Sequence, residues 1–235
     1  SKLQQLIDES DNIVFFGGAG VSVESGIPDF RSENGIYNRK FDYPAEEILS
    51  HNFFYANTEY FYKFSKEIMY ADNVEPNEAH KKLAALEKAG KLKAIITQNI
   101  DGLHQKAGSK NVLELHGSGE RNNCTQCGKV YDAAYVNNAD GIPRCTCGGI
   151  IKPDVVLYGE PLNSEVIYKS VEYIKNADML IIGGTSLVGY PAAGLVDNYR
   201  GNKLILINKT PTYRDKTANY IFYGSIGEIF SQINI

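Results

Sequence analysis

Six short apolar runs, each passing directly into a small or polar cluster, constrain this 235-residue chain more than any other feature. They cover residues 12–16, 93–97, 112–115, 179–182, 203–207 and 220–223. The runs are rich in β-branched and aromatic residues and do not alternate with polar ones. They therefore read as strands buried on both faces of a parallel sheet. Helical patterns over 77–89, 164–176 and 192–199 precede the second, fourth and fifth runs, and Pro76 and Gly90 bracket the first of them. Such alternation predicts a doubly wound α/β domain. Open sheets of that class bind ligands in the crevice beyond the carboxyl ends of their strands. Here those ends carry Gly17-Gly18-Ala19-Gly20, Gln98-Asn99-Ile100-Asp101, His116-Gly117-Ser118, Gly183-Gly184-Thr185-Ser186, Asn208 and Gly224-Ser225. The clusters should converge on one site.

Two stretches break the rhythm. Residues 34–76 are rich in Tyr and Phe with helical spacing and no strand, which predicts an inserted helical module. Residues 118–156 hold all four cysteines, several glycines and little apolar content. Neither has the composition to build a core alone. No run approaches the roughly 18 apolar residues of a membrane span, and Ser1 to Ser10 is polar and helical without the apolar region of a signal peptide. The expectation is a cytoplasmic protein, monomeric and without a membrane partner. A net charge of −4 and a pI near 5.6 argue against a nucleic-acid partner. Mild acidity suits a basic, lysine-bearing partner, although solubility alone would account for it.

Gly18-Ala19-Gly20 after a strand allows a tight turn and close approach of backbone N–H groups to a pyrophosphate. The pattern is only part of the dinucleotide fingerprint, because the next glycine is Gly26. An ordinary dehydrogenase would then show a second strand ending in an acid about 20 residues on. The chain instead reads Gly35-Ile36-Tyr37-Asn38-Arg39-Lys40 there, which disfavours hydride chemistry. Taken alone, Asn99 and Asp101 could simply cap a helix after a strand.

The longer motif Gly18-Ala19-Gly20-Val21-Ser22-Val23-Glu24-Ser25-Gly26-Ile27-Pro28-Asp29-Phe30-Arg31-Ser32 closely resembles the signature of the sirtuins, NAD-dependent protein-lysine deacylases. Thr97-Gln98-Asn99-Ile100-Asp101-Gly102-Leu103-His104, His116-Gly117-Ser118 and Gly184-Thr185-Ser186-Leu187 extend the likeness in order, as do Pro191-Ala192-Ala193 and Asn208. The chain is similar to the bacterial-type members over nearly its whole length. Gly17 departs from the pattern, since many relatives carry threonine there.

The resemblance implies a Rossmann-like NAD-binding domain over 1–33, 77–117 and 157–235, a helical module over 34–76 and a zinc-binding module over 118–156. It implies that NAD is consumed as a co-substrate. Gly18, Ala19 and Gly20 would face the diphosphate, with Ile27, Asp29, Phe30 and Arg31 completing the first loop. Arg31 would add a permanent cation, and Phe30 would shield the ribose cation from water. Asn99 and Asp101 would hold the nicotinamide-ribose end, with the Asp101 carboxylate accepting from the carboxamide, and Gln98 and Ile100 would also bind the cofactor. Thr185 and Ser186 would meet phosphate or ribose and Asn208 the adenosine ribose, with Gly184, Ser225 and Ile226 also among the cofactor-binding residues. His116, with Asn99, would be catalytic: the acyl-lysine oxygen displaces nicotinamide, and His116 activates the ribose 2′-hydroxyl to attack the resulting imidate. An imidazole suits the task because it titrates near neutral pH.

Cys124-Thr-Gln-Cys127 and, after a spacer, Cys145-Thr-Cys147 resemble a four-cysteine zinc ribbon, although the second pair is one residue short. Four cysteines leave no open coordination position, so the zinc would be structural. Gly128, Gly148 and Gly149 could free backbone N–H groups for the thiolates. A disulfide reading is disfavoured in a cytosolic setting. For the acyl-lysine peptide, the resemblance implies a groove between Val155, Val156, Tyr158 and Gly159 on one side and Leu187, Val188, Gly189 and Tyr190 on the other. Val155 to Leu157 would equally serve as ordinary core strand.

Two other products of NAD cleavage stay open at this level, ADP-ribosylated protein and free ADP-ribose. A binding module without chemistry would not need His116. Sirtuins that prefer acidic acyl groups share a Tyr-x-x-Arg pair. This chain has no arginine between Arg39 and Arg121, and Ser65 lies three residues past Tyr62. The expectation is an uncharged acyl group. Lys63, three residues past Tyr60, is the one alternative cation.

Overall fold

The computed structural model describes residues 1–30, 35–69, 73–189 and 191–235. Its strands are β1 (Ile13–Gly17), β2 (Leu92–Thr97), β3 (Val112–Glu114), β4 (Gly117–Cys124), β5 (Val130–Tyr131), β6 (Ile151–Val155), β7 (Met179–Gly183), β8 (Leu204–Asn208) and β9 (Tyr220–Tyr223). Six of them form a sheet in the order β3-β2-β1-β7-β8-β9, with every neighbouring pair parallel. These six are the runs expected from sequence. Strands β1, β7 and β8 each run one residue further than the apolar pattern, to Gly17, Gly183 and Asn208, because the ladder continues there.

Successive side chains along these strands point to opposite faces. Ile13 and Phe15 enter one layer with Leu3, Leu83, Leu86 and Phe230. Val14 and Phe16 enter the other with Ile174, Ala193 and Val196. Helices Lys2–Asp8, Glu78–Lys88 and Ile226–Ser231 cover the first face, and Ser164–Asn176 covers the second. Asn77 caps its helix through the Ala79 N–H at 2.8 Å, which is why the pattern starts at that residue. One expected helix differs: Ala192–Asn198 is a 3-10 helix. Gly194 falls within it, where glycine's backbone freedom weakens an α-turn, and its N–H bonds to Pro191 O, three residues back.

The chain winds outward from β1 through β2 to β3, then returns to the other side of β1 as β7, β8 and β9. The order reverses between β1 and β7, which places the ligand crevice beyond Gly17 and Gly183. Those two residues are in register, and Thr97 of β2 pairs with Gly17.

The cysteine-bearing stretch holds a three-stranded antiparallel sheet, β5-β4-β6, that the sequence does not announce. The insertion supplies helices Ala45–Ile48, His51–Ala56 and Thr58–Ile68. The two stretches share one core: Ile48, Phe54, Phe61, Tyr62 and Phe64 pack with Val136, Ile151, Val155 and Leu157. Each segment is too poor in apolar residues alone, and each completes the other.

Candidate active site

The expected clusters meet at the carboxyl edge of the parallel sheet. The loop after β1 passes so close to the loop after β7 that Gly20 N–H donates to Gly184 O at 2.7 Å. A Cβ on Gly18 would lie 2.8 Å from Gln98 Oε1 and from Thr185 Cβ, and one on Gly20 would lie 2.7 Å from Gly184 Cα. Close packing of these loops already demands the glycines, before any diphosphate is considered. Ala19 opens the short 3-10 turn Ala19–Val21. Gly17 shares its side of the strand with Phe15, whose ring occupies the place of a side chain: a Cβ there would sit 2.5 Å from Phe15 Cε1.

Asn208, at the end of β8, accepts from the Thr185 N–H through Oδ1 at 3.1 Å, while its Nδ2 is buried with no partner. An amide donor left so costs free energy unless a ligand accepts from it, and a ribose hydroxyl has the chemistry to do so. Thr185 Oγ1 donates to Gln98 Oε1 at 2.9 Å, tying the loops after β7 and β2 together. Ser186 is exposed. Ile226 is 3% exposed and packs under Gly183, so its side chain belongs to the core; Ser225 precedes it at the start of the last helix. Ile27 N–H bonds to Ser22 O, and Asp29 and Phe30 carbonyls accept from Ile36 and Tyr37 N–H groups. The Phe30 ring is 40% exposed and lies 5.6 Å from the Tyr37 ring. Arg31 and Tyr190 lie outside the described residues.

At the end of β3 the chain turns sharply through His116. Gly117 takes φ 76°, and a Cβ on it would fall 1.9 Å from Asp154 O. Only glycine permits that turn into β4. His116 Nδ1 lies 2.9 Å from Gln98 O. A carbonyl only accepts, so Nδ1 carries the proton and Nε2 keeps its lone pair. Burial lowers the His116 pKa, against the pull of that carbonyl. The ring is therefore neutral at physiological pH and available as a base.

Beside it lies a buried network that the sequence reading did not anticipate. Ser22 Oγ donates to Asp101 Oδ2 at 2.6 Å. Asn99 Nδ2 donates to Gly18 O at 2.9 Å and reaches Ser22 Oγ at 3.4 Å. Asp101 Oδ1 accepts from Leu103 N–H at 2.9 Å, so this carboxylate does cap the following turn as well. His80 Nδ1 accepts from the Asn77 N–H at 3.1 Å, which leaves the ring proton on Nε2, 3.4 Å from Ser22 Oγ. Asp101 thus accepts from Ser22 Oγ and the Leu103 N–H, and His80 backs Ser22 from behind. Burial, opposed by the Asp101 charge, lowers His80 to about 4. The His104 ring meets the His80 ring edge to face, centroids 4.9 Å apart, and burial followed by His80 lowers His104 to about 3. The one sequence hint was Ser22 inside the glycine motif. Its partners lie 58 and 79 residues away.

The four cysteine sulfurs lie within 4.8 Å of one another, two pairs at 3.5 Å. A disulfide would need about 2.05 Å, whereas sulfurs around a tetrahedral zinc stand roughly 3.8 Å apart. The short second pair reaches the cluster regardless. Backbone N–H groups of Gln126 and Cys127 donate to Cys124 Sγ at 3.3 and 3.4 Å, and Tyr131 OH to Cys145 Sγ at 3.1 Å. The expected donors are partly different. Gly128 and Gly148 N–H groups bond to the carbonyls of Cys124 and Cys145, because the tight turns close on themselves; Gly149 does reach Cys147. The Cys147 N–H and Tyr131 lower Cys145 to about 6. Cys147 receives the Gly149 N–H, yet its sulfur neighbours push it up to about 12. Four thiolates this close need a cation, and zinc fits the set.

The segment after β6 starts at the histidine: Val156 N–H donates to His116 O at 2.9 Å, and Val155 pairs with Gly117. Tyr158 pairs with Leu49 and His51 of the insertion, is 51% exposed and meets Tyr37 hydroxyl to hydroxyl. Gly159 follows with φ 89°. Across the crevice Leu187 is buried and Val188 and Gly189 are exposed. In the insertion, Tyr62 is buried with its hydroxyl on Ile151 O, Ser65 is buried, and Lys63 is exposed over the Tyr60 ring.

The model of the Sir2 family matches residues 18–191. An NAD-dependent protein deacetylase of Clostridium tetani is 59% identical, the match covering 98% of this chain and 95% of that protein. A solved Sir2 enzyme, from work on the mechanism and regulation of Sir2 enzymes, is 44% identical with a TM-score of 0.87 over 97% of this chain and 93% of its own. A Sir2 crystal structure holding 2′-O-acetyl-ADP-ribose and a deacetylated p53 peptide is 36% identical with a TM-score of 0.85, covering 98% and 96%.

Proposed function

The chain belongs to the Sir2 family, and from that membership we infer that its crevice removes acyl groups from protein lysines with His116 as the base. The protein is an NAD-dependent protein deacetylase, and its products are nicotinamide, O-acyl-ADP-ribose and the deacylated lysine. NAD supplies the ribose that receives the acyl group. The observation that carries the assignment of the base is the Nδ1 bond to Gln98 O, which fixes the tautomer and keeps Nε2 free. Gly18, Ala19 and Gly20 would hold the diphosphate and Asn208 the adenosine ribose, its orphaned Nδ2 favouring this role. Asn99 and Asp101 would hold the nicotinamide-ribose end, with Ser22 donating to the Asp101 carboxylate and His80 backing Ser22. Ile27, Asp29, Phe30, Arg31, Gln98, Ile100, Gly184, Thr185, Ser186, Ser225 and Ile226 complete the proposed cofactor set.

The zinc is structural, held by Cys124, Cys127, Cys145 and Cys147. The acyl-lysine peptide would lie between residues 155–159 and 187–190, gaining affinity from backbone pairing. The proposed division is an NAD-binding domain of 1–33, 77–117 and 157–235 with modules 34–76 and 118–156; the shared core of the two modules supports treating them as neighbours. The setting proposed is a monomer in the cytoplasm, where four cysteines without a disulfide would stay reduced. Among the described residues no helix is long and apolar enough to cross a membrane.

The test is nicotinamide release from NAD with an acetyl-lysine peptide, with products identified by mass spectrometry. His116→Ala should lower the rate about 10²–10⁴-fold while NAD still binds. Full activity in that variant, or free ADP-ribose as the main product, would overturn the assignment. The same assay should give a higher kcat/KM for acetylated than for succinylated peptide. Tyr62 and Ser65 are buried in the small lobe, and Lys63 faces solvent, so no cation of that helix would meet a second carboxylate.

A further inference from the structure

Leu187 is fully buried, yet its φ is 58°. A leucine stays in the left-handed region only where its surroundings hold it there. Two hydrogen bonds do so. The Leu187 N–H donates to Thr185 Oγ1 at 3.2 Å, and its carbonyl accepts from Tyr213 OH at 2.6 Å. Tyr213 is 61% exposed, so core packing does not explain its place. Its neighbour Arg214, stacked on the Tyr213 ring at 5.2 Å, forks onto the Asp197 carboxylate through Nη1 and, at 3.1 Å, Nη2. Consecutive residues thus grip positions 187 and 197, on either side of Val188 and Gly189.

The gripping loop is itself braced. Thr212 N–H and Oγ1 both donate to Asp215 Oδ1, at 3.1 and 2.9 Å, and Tyr223 of β9 donates to Asp215 Oδ2 at 2.5 Å. The loop starts at Asn208, whose Oδ1 accepts from Thr185. A polar clamp therefore runs from a braced loop to a backbone segment whose own conformation is unfavourable, and what it leaves exposed is Val188 and Gly189.

We propose that Tyr213 is a positioning residue for the peptide substrate: its hydroxyl holds Leu187 left-handed and so presents the Val188–Gly189 edge in the one geometry that a peptide strand can pair with. This rests on the reading that residues 187–190 bind the acyl-lysine peptide. Without the hydroxyl, Leu187 exchanges between conformers and only a fraction of molecules carries the competent edge, so apparent peptide affinity falls by that fraction. The Tyr213 hydroxyl meets neither His116 nor the loop after β2, and Gln98 of that loop holds Thr185 Oγ1 independently of it, so turnover of bound substrate is unchanged.

The variant is Tyr213→Phe, which removes one hydroxyl and keeps the ring. The peptide KM should rise about three- to tenfold, the span that loss of one hydrogen bond gives, with kcat at saturating peptide and the KM for NAD unchanged. Amide exchange at residues 187–189 should quicken while β7 keeps its protection. A parallel measurement on the unaltered enzyme uses an acetyl-lysine peptide N-methylated at its flanking backbone amides. If methylation leaves the KM unaltered, the peptide does not pair as a strand and the underlying reading fails. If methylation raises the KM but Tyr213→Phe matches the unaltered enzyme in KM and in exchange, the groove stands and the clamp is overturned. A fall in kcat with constant KM would also overturn it.

Discussion

In the parallel sheet, Ile13 and Phe15 fill one layer and Val14 and Phe16 the other, all of them fully buried by helices on the two faces. In the small lobe, Phe54, Phe61 and Tyr62 of the insertion must cross to Ile151 and Val155 of the cysteine-bearing stretch, and to Leu157 just past it, to find cover. The first core repeats a local pattern strand by strand. The second exists only once two stretches distant in sequence have met, and polar ties mark the junction: Tyr62 OH on Ile151 O, and Lys66 Nζ on Ala139 O and, at 2.9 Å, on Gly141 O. A core assembled this way has little local stability to fall back on. The four-cysteine site, whose Cys124 and Cys145 belong to that same core, supplies what packing alone does not.

Metal removal should separate the two regions most sharply. Structural zinc sites contribute on the order of 10 kcal/mol to folding. Chelation, or Cys127→Ser, should strip hydrogen-exchange protection from residues 118–156 and from the helices His51–Ala56 and Thr58–Ile68, while β1, β2 and β7 keep theirs. Equal loss across the parallel sheet would show one cooperative unit and end the distinction.

Matched truncations give the next largest effect. Phe16→Ala and Phe54→Ala each empty a fully buried site, at a cost of about 3–5 kcal/mol. Phe16→Ala should lower the stability of the whole chain. Phe54→Ala should appear in small-lobe amides and leave the sheet's protection in place. Exchange measured amide by amide decides between local and global loss.

Acid should act on the sheet region. His80 is lowered to about 4 and His104 to about 3, in both chiefly by burial, whereas an unfolded imidazole takes its proton near 6.5. Below pH 6.5 the unfolded state binds more protons than the folded one, so stability falls with falling pH until each folded group titrates in turn. Each histidine contributes a slope of up to about 1.4 kcal/mol per pH unit in that window and nothing above it. His104→Phe should make the slope shallower by that amount in urea unfolding between pH 7 and 4.5. An unchanged slope would mean that His104 is not held neutral.

The helix Glu78–Lys88 and the six strands were legible because apolar period and caps are local properties: Asn77, Pro76 and Gly90 announce a helix without reference to the rest of the chain. The convergence of the loop clusters was legible too, since parallel strands must end on one edge. The helical reading of 192–199 missed the 3-10 form because Gly194 makes the α-form a weak preference that packing overrides. The cysteine spacing spoke for zinc, whereas the antiparallel sheet around it did not, its strands being polar and irregular, such as Gly117–Cys124.

By itself, then, the sequence determined what is written in short range: a doubly wound sheet, glycine loops at strand ends, a histidine at the ligand edge and four cysteines in two close pairs. Tertiary structure alone decided what depends on residues brought together from afar. It set Ser22 between His80 and Asp101, gave Gly18 and Gly20 their closest neighbours in Gln98, Thr185 and Gly184, and joined two weak segments into one core. It also placed Tyr213 on the carbonyl of a left-handed leucine. Hydrogen bonds and close contacts of that kind act over a few ångströms in space and leave no period along the chain, so nothing in the local pattern encodes them.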